Sequence, residues 1–473
     1  MSTTEHVTAV SEARDEPRFL VATVVFVSLV VAVVGSLGAP LITAVADRYD
    51  VSLAAAQWTL TIALLSGAVA TPLLGRFGSG PRRREVVLTT LGFVVTGSAL
   101  TVIPLPFTLL LIGRAAQGVG LGLTALMIAT ARDHLSGSRS SGAIALLSVA
   151  STAGIGIGYP LAGLLTDLGG IRAAYALGLA VTAAALLAAA VILPAAPPRA
   201  SSRTDLRGAL LLTAALLALL IVISQTELWR RHTLVAVLVL GLSLALLASW
   251  TALEARTASP LVDVRLLRHP AVAAANLVML TGGIGMYLLL SLITRYVQTP
   301  SSAGYGFGLD TFQAGLVLVP FSLFGFLAGK LVPSLRARIG ATALLASGTG
   351  AVLTASVVFG FARNHIAEPV LAMSILGIGV GAFSAAMPAV ILAATPREET
   401  ASAMGVNQLV RSVGFSIGSA LGGLVLAGYT THVFPRETGY SAAAWTGVAT
   451  TTATLIIIVA RGAKAAASAG EHG

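Results

Sequence analysis

The amino-acid sequence predicts an all-α, polytopic membrane protein: two pseudo-symmetric six-helix bundles plus two extra central spans, fourteen transmembrane helices in all. Four observations lead there. Apolar stretches of about 20 residues or more recur along the chain, each enough to cross a ~30 Å hydrocarbon layer at ~1.5 Å per residue. The 473 residues are 56% hydrophobic and only 10% charged, too few charges for a dispersed soluble domain. A glycine pattern also repeats: Gly154-Ile155-Gly156-Ile157-Gly158-Tyr159-Pro160-Leu161-Ala162-Gly163-Leu164 aligns without a gap on Gly414-Phe415-Ser416-Ile417-Gly418-Ser419-Ala420-Leu421-Gly422-Gly423-Leu424, about 260 residues later. Nearly the same offset carries Gly118, Gly120 and Gly122 onto Gly377, Gly379 and Gly381, and Pro72 and Gly78 onto Pro333 and Gly340. Finally, with the N-terminus inside, 21 of the 29 Lys and Arg fall on the inner side, seven outside and Arg114 within a span. Strands are not expected, because the alternation of barrel strands is absent.

Residues 1–18 are polar and mixed in charge, without the basic-then-apolar order of a secretory signal, and read as a short cytoplasmic tail. Residues 19–193 form the first bundle, with spans near 19–43, 55–75, 86–105, 107–130, 142–166 and 173–193. Gln57 and Trp58 lie near the outer end of the second span, where a cavity group and an interfacial-belt tryptophan look alike. The loop after it runs from Gly75 through Gly78, Ser79 and Gly80 to Arg82, Arg83 and Arg84. Glycines permit a tight turn there, and the arginines can meet helix carbonyl ends or lipid phosphate, or simply set topology.

In the fourth span Arg114, Gln117 and Gly118 share one face. A guanidinium inside a membrane is costly and holds its proton, so it must be hydrated, paired, bonded to carbonyls or snorkelling to the surface. In the fifth span Gly154 and Gly158 form a small-xxx-small pair that admits a neighbouring helix. Pro160 cannot donate to the carbonyl of Gly156, so a bend is expected, with Gly163 one turn on and Tyr159 as a cavity candidate.

Residues 194–270 are the linker. It opens on Pro194-Ala195-Ala196-Pro197-Pro198-Arg199, carries two added spans near 207–226 and 233–253, and ends in an amphipathic stretch, Ser259 to Arg268. Residues 271–461 form the second bundle, with spans near 271–296, 311–332, 341–361, 368–394, 402–428 and 441–460, and residues 462–473 a second cytoplasmic tail. Asn276, Met279 and Tyr287 are cavity candidates on its first span. On its fifth span, Asn407, Arg411, Gly414 and Gly418 share a face with Gln408 adjacent, bordering an inner cavity mouth or closing the inner interface.

No Asp or Glu lies near the middle of any span; Asp47, Asp133, Glu227 and Glu368, at helix ends, read as solvated loop charges. With no cysteine, no nucleotide-binding glycine loop, no metal-ligand spacing and no nucleophile elbow, neither an enzyme nor a metal or cofactor is expected. The net charge of +10 sits in short loops, which suits anionic lipid and not nucleic acid.

These residues together resemble the major facilitator superfamily, in particular its fourteen-span drug:proton antiporter branch. The resemblance is carried by the 75–84 loop, the Arg114-x-x-Gln117-Gly118 face, the Gly154–Gly163 motif, Pro260-Leu261-Val262-Asp263 and the added central pair. It implies that Arg114 takes part in proton coupling, that the fifth span seals the path and that the 75–84 loop latches the inner gate. Two departures stand out. Ser79 occupies the loop motif's aspartate position, and Val31 to Pro40 lacks the first-span aspartate of many relatives. The expectation is therefore a multi-pass inner- or plasma-membrane transporter with both termini cytoplasmic, exporting amphiphilic or hydrophobic small molecules in exchange for protons. A monomer is expected. A carrier of one metabolite, a channel, and a receptor or scaffold without transport stay open as alternatives.

Overall fold

A computed structural model describes residues 19–38, 40–51, 53–196, 205–224, 226–257, 260, 264–265, 269–430 and 434–470. The expectations for 1–18, Pro197 to Arg199, Leu261 to Asp263 and the last three residues fall outside these. The described chain is helical: α1 Leu20–Ser36, α2 Ile42–Tyr49, α3 Leu53–Phe77, α4 Arg83–Val102, α5 Phe107–Val119, α6 Leu123–His134, α7 Gly137–Ile192, α8 Leu206–Ser224, α9 Thr226–Arg231, α10 Thr233–Glu254, α11 Pro270–Gln298, α12 Thr311–Phe361, α13 Ala367–Ala393, α14 Thr400–Gly428 and α15 Glu437–Gly470. Among the described residues, ten stretches are long and apolar enough to cross a bilayer, and Leu20–Ser36 and Arg207–Ile223 are shorter apolar helices. A single turn of 3₁₀ helix, Gly120–Gly122, joins α5 to α6 within one such stretch.

Two helices double back. Gly169 and Gly170 leave helical geometry inside α7, and Gly340 does so inside α12. Gly170 and Gly340 have φ of +69° and +78°, where a side chain would be strained. Both ends of α7 reach the same end of the molecule: Gly137 lines a cleft with Arg132 and Arg336, and Ala190 meets Arg84. This end also gathers Arg139 and Arg397 and is called the basic end below. In α12, Val332 and Pro333 reach the basic end, while Phe312 packs near Gly163 and Phe359 near Tyr296 at the opposite end.

The sequence repeat appears as equivalent packing. Gly154 presses on the backbone of α1, where an added Cβ would come within 2.9 Å of Ala32 C and Val33 N. Its counterpart Gly414 presses on α11, 2.6 Å from the Leu280 carbonyl by the same measure, and Gly418 lies 3.0 Å from Leu288 N. Likewise Gly118 of α5 meets Ala63 of α3, and Gly377 of α13 meets Phe321 of α12. Each pair brings two backbones into contact, which only glycine allows.

The main apolar core runs through both sets of helices. Helix α8 packs into the seam between α3 and α14: Leu220 joins Leu65 and Ala68, while Leu212 and Leu216 cluster with Val406. α10 packs on α8 and leaves Leu234, Leu238 and Leu242 on the surface, as a helix facing lipid must.

Candidate functional site

Arg114 is fully buried. Pro106 caps the start of α5, and eight residues later the helix aims this guanidinium at α1 and α3. Nε donates to the Thr59 carbonyl (2.9 Å), and Nη1 donates to the Val34 carbonyl (3.1 Å) and to Gln117 Oε1 (2.6 Å). Val34 lies in the last turn of α1, where the helix dipole favours a cation, and Thr59 lies in the second turn of α3. Gln117 Nε2 donates in turn to Ser98 Oγ (3.1 Å) and Thr101 Oγ1 (3.3 Å), and Thr182 Oγ1 reaches Ser98 Oγ at 3.5 Å. Nη2 has no hydrogen-bond partner and lies against Gly38, where any Cβ would strike it. The Tyr175 hydroxyl, within electrostatic range of Arg114, is also buried without a hydrogen-bond partner. Arg114 is therefore held by carbonyls inside the helices and does not snorkel.

The Gly154–Gly163 segment has two working faces. Gly154 and Gly158 pack on α1, the latter against Ser36, whose Oγ donates to the Gly154 carbonyl at 3.3 Å. Gly156, Pro160 and Gly163 face α12 across the molecule. A Cβ on Gly163 would lie 2.9 Å from Phe312 Cα, one on Gly315 would lie 2.9 Å from Pro160 N, and one on Gly156 would strike the Ser322 side chain. Further toward the basic end Gly329 meets Val149.

At the basic end the 75–84 loop ties its own half together. Arg83 Nε donates to the Gly78 carbonyl (2.7 Å), Arg83 Nη1 pairs with Asp133 Oδ2 (2.6 Å), and Arg84 Nη2 donates to Ala190 O (2.6 Å). Arg82 is exposed. Asp133, read from sequence as a solvated loop charge, is buried, because the Arg83 guanidinium replaces its water. Ser79 Oγ, just past the end of α3, donates back to the Gly75 carbonyl of that helix at 2.7 Å. Gly75 itself sits against α14, where a Cβ would lie 2.9 Å from Ala401 O.

A cross-link between the halves comes from Arg132, one of the 21 basic residues that the charge split puts on the inner side. Arg132 Nη2 donates to the carbonyls of Leu392 and Thr395, both at 3.0 Å, and Nη1 donates to Thr400 Oγ1 at 2.6 Å. Those acceptors are the C-terminal end of α13 and the link into α14, a site of negative potential. The neighbouring Arg132-Asp133 pair was the available signal; its acceptors, some 260 residues away, were not visible.

A narrow pocket lies between the halves beyond this latch. Thr124, Ser148, Met279, Ser384, Gln408 and Arg411 are among its lining residues. Asn407 is buried and donates from Nδ2 to Asn276 Oδ1 at 3.1 Å, tying α14 to α11. Arg411, grouped from sequence with the inner charges, is the twelfth residue of α14, about 16 Å along it at ~1.5 Å per residue. Its Cζ stands 5.7 Å from the centre of the Phe415 ring, which stacks on Tyr287 at 5.0 Å. Tyr159 of α7 lies within electrostatic range of Tyr287. Gln57 and Trp58 do not join this pocket. Gln57 is exposed, and Trp58 packs in the seam with Leu220, Ile221 and Leu409.

An interface of this kind, with paired glycine-packed helices in two related sets and a polar pocket between them, is matched at both sequence and fold level. The profile described as Major Facilitator Superfamily matches residues 24–419. The chain belongs to the major facilitator superfamily. It is a multi-pass membrane transporter of small molecules, not an enzyme. Among curated relatives it is 26% identical over 377 residues to multidrug resistance protein Stp of Mycobacterium tuberculosis, covering 78% of this chain and 67% of that one. It is 29% identical over 412 residues to a multidrug resistance protein B homolog of the same species, covering 82% and 72%. It is 23% identical over 426 residues to quinolone resistance protein NorB of Staphylococcus aureus, covering 87% and 89%. The fold is similar to the crystal structure of the human organic anion transporter MFSD10 (TM-score 0.66, 17% identity, 93% of this chain and 99% of that one).

Proposed function

We propose that this transporter is a secondary active exporter of amphiphilic or hydrophobic small molecules, working by alternating access with proton exchange. The carrying observation is the half-to-half seam: α7 grips α1 with one face and α12 with the other, while Arg132 latches the basic end. Two bodies in contact through backbone-tight glycine surfaces can rock about the pocket between them. Relatives named for multidrug and quinolone resistance support the export direction.

In this reading 19–193 and 271–461 are the rocking units, 194–270 supplies the two added helices, and the basic end with both termini faces the cytoplasm. Doubling the two broken helices and adding the two shorter ones brings the ten apolar stretches to fourteen spans. Gly156, Pro160 and Gly163 seal the α12 side, Gly154 and Gly158 hold α7 to its own unit, and the 75–84 loop braces the cytoplasmic gate. Asn276, Tyr159, Tyr287, Asn407, Gln408 and Arg411 border the substrate path.

Arg114 is the coupling residue. Its guanidinium keeps its own proton, so it acts as a fixed charge that orders the Gln117, Ser98, Thr101 and Thr182 chain as α1 and α3 shift. In an efflux-deficient host, a growth-inhibition panel run with and without an uncoupler tests the reading. Wild type is expected to confer resistance that the uncoupler removes. Arg114→Ala is expected to lose it by about tenfold or more, ~1.4 kcal/mol of barrier or greater, while the protein stays in the membrane. Wild-type resistance from Arg114→Ala would remove this residue from the mechanism.

A further inference from the structure

We propose that the cleft at the basic end binds a phosphate-bearing anion, which bridges the two halves and holds that end shut. This assigns a regulatory ligand and goes beyond the transport reading.

Charge gathered from separate elements is the first ground. The cleft measures about 850 Å³, within the ~300–1,000 Å³ of small-ligand sites. Arg132, at the end of α6, and Arg139, in the first turn of α7, line it from one half. Arg336 of α12 and Arg397 of the α13–α14 link line it from the other. Arg132 and Arg397 stand within electrostatic range, so like charges meet where the halves do. Asp133 also lines the cleft but is paired with Arg83, and Glu398, in range of Arg132, is not among the lining residues. Arginines that only set topology need share a side of the membrane, not a cavity.

The second ground is donor chemistry. Arg132 spends its guanidinium on the latch, which leaves the anion to Arg336 and Arg397, both exposed. A guanidinium fork spans two phosphate oxygens. Ser136, Gly137 and Ser140, at the start of α7, line the same space, and the Ser136 side chain does not cap that helix. A helix start offers N–H donors and positive potential to phosphate. Positive groups on several sides suit a multiply charged phosphate better than a single carboxylate.

The third ground is the wall beside these groups. Ile144, Val332, Pro333, Ala385 and Leu392 make it apolar, so an organic phosphate fits as well as an inorganic one. An anionic phospholipid head group and a soluble phosphate share this chemistry. Either one, held from both halves at once, replaces repulsion with attraction and favours the closed end by its differential affinity.

The labelling rate of a cysteine placed at Ala401 tests the proposal. Ala401 is buried against Gly75 in the α3–α14 seam of the same end, and the chain has no cysteine of its own. Two arms separate the sources. In one, sodium pyrophosphate is added to the lipid-stripped full chain in detergent, against sodium chloride of equal ionic strength. In the other, nanodiscs of phosphatidylglycerol are compared with nanodiscs of phosphatidylcholine. At least one arm is expected to slow labelling by about fivefold or more. Arg336→Gln with Arg397→Gln is expected to abolish the slowing, and Arg336→Lys with Arg397→Lys to keep part of it. Slowing by pyrophosphate alone assigns a soluble phosphate, by phosphatidylglycerol alone a lipid head group, and by both a site open to either. No slowing beyond the control in either arm, or slowing untouched in the glutamine pair, overturns the proposal. Should the glutamine pair not fold, arginine footprinting on the wild-type chain decides. The anion must shield Arg336 and Arg397 from phenylglyoxal while the exposed Arg436, at the opposite end, stays reactive. Shielding of all three alike, or of none, overturns it.

Discussion

Arg132 shows how much one side chain can carry at the residue scale. Its donors reach carbonyls at the end of α13 and the Thr400 hydroxyl, so the opposite half supplies every acceptor named here. Bonds from a charged donor are each worth about 1.5–3 kcal/mol. Removing them favours whichever state has this end open. Arg132→Ala is thus expected to slow export by about tenfold and to raise the reactivity of a cysteine placed at Thr400, a position buried beneath the latch. A Thr400→Cys label rate that does not change on adding Arg132→Ala would show that the latch does not hold the gate. The same residue marks the limit of sequence reading. Arg132, Asp133 and Arg83 were visible as charges near two span ends, but their burial depends on which helix ends meet in space. Arg114 was more legible, because its spacing to Gln117 and Gly118 fixes one helical face, and the cost of a guanidinium in lipid leaves few fates for it. Which carbonyls hold it, those of Val34 and Thr59, comes from two other helices and is absent from the local pattern.

At the scale of a helix, the glycine repeat was legible as a period and illegible as a pair of surfaces. Gly154, Gly156, Gly158 and Gly163 look alike in sequence, yet rotation about the helix sends 154 and 158 to α1 and 156 and 163 to α12. This division predicts two kinds of damage. Gly154→Val drives a side chain into the α1 backbone and is expected to destabilise the protein by about 1–3 kcal/mol, read as a lower thermal midpoint in detergent. Gly156→Ala meets the Ser322 side chain across the seam, so export should fall while the thermal midpoint moves little. Because the obstacle is a side chain, Ser322→Gly should restore export to Gly156→Ala, a coupling a double-mutant cycle measures directly. Additive losses in that cycle would place the effect elsewhere. The excess length between the repeats is what suggests an added pair of helices there. The place of α8 was not legible: it lies in the α3–α14 seam because Leu212, Leu216 and Leu220 find apolar partners there.

For the molecule as a whole, the class of fold follows from hydropathy and repeat, since lipid leaves few ways to satisfy a backbone and a duplicated pattern requires duplicated packing. The relative placement of the halves follows from neither and fixes which end is shut. Here the basic end is closed along α3 and α14 as well as at Arg132. A Cβ on Gly405 would lie 3.8 Å from Pro72 Cα, in ordinary contact. Those positions are within the reach of a disulfide, whose Cα atoms usually stand about 4.4–6.8 Å apart. The chain has no cysteine of its own, so Pro72→Cys with Gly405→Cys introduces one unambiguous pair. If the halves rock, oxidation should trap this end shut, stop export by the double variant and leave both single variants working. A reductant should restore it. An oxidised, fully cross-linked protein that exports at its reduced rate would mean that this end stays closed throughout transport, and alternating access by separation of the two halves would have to be abandoned.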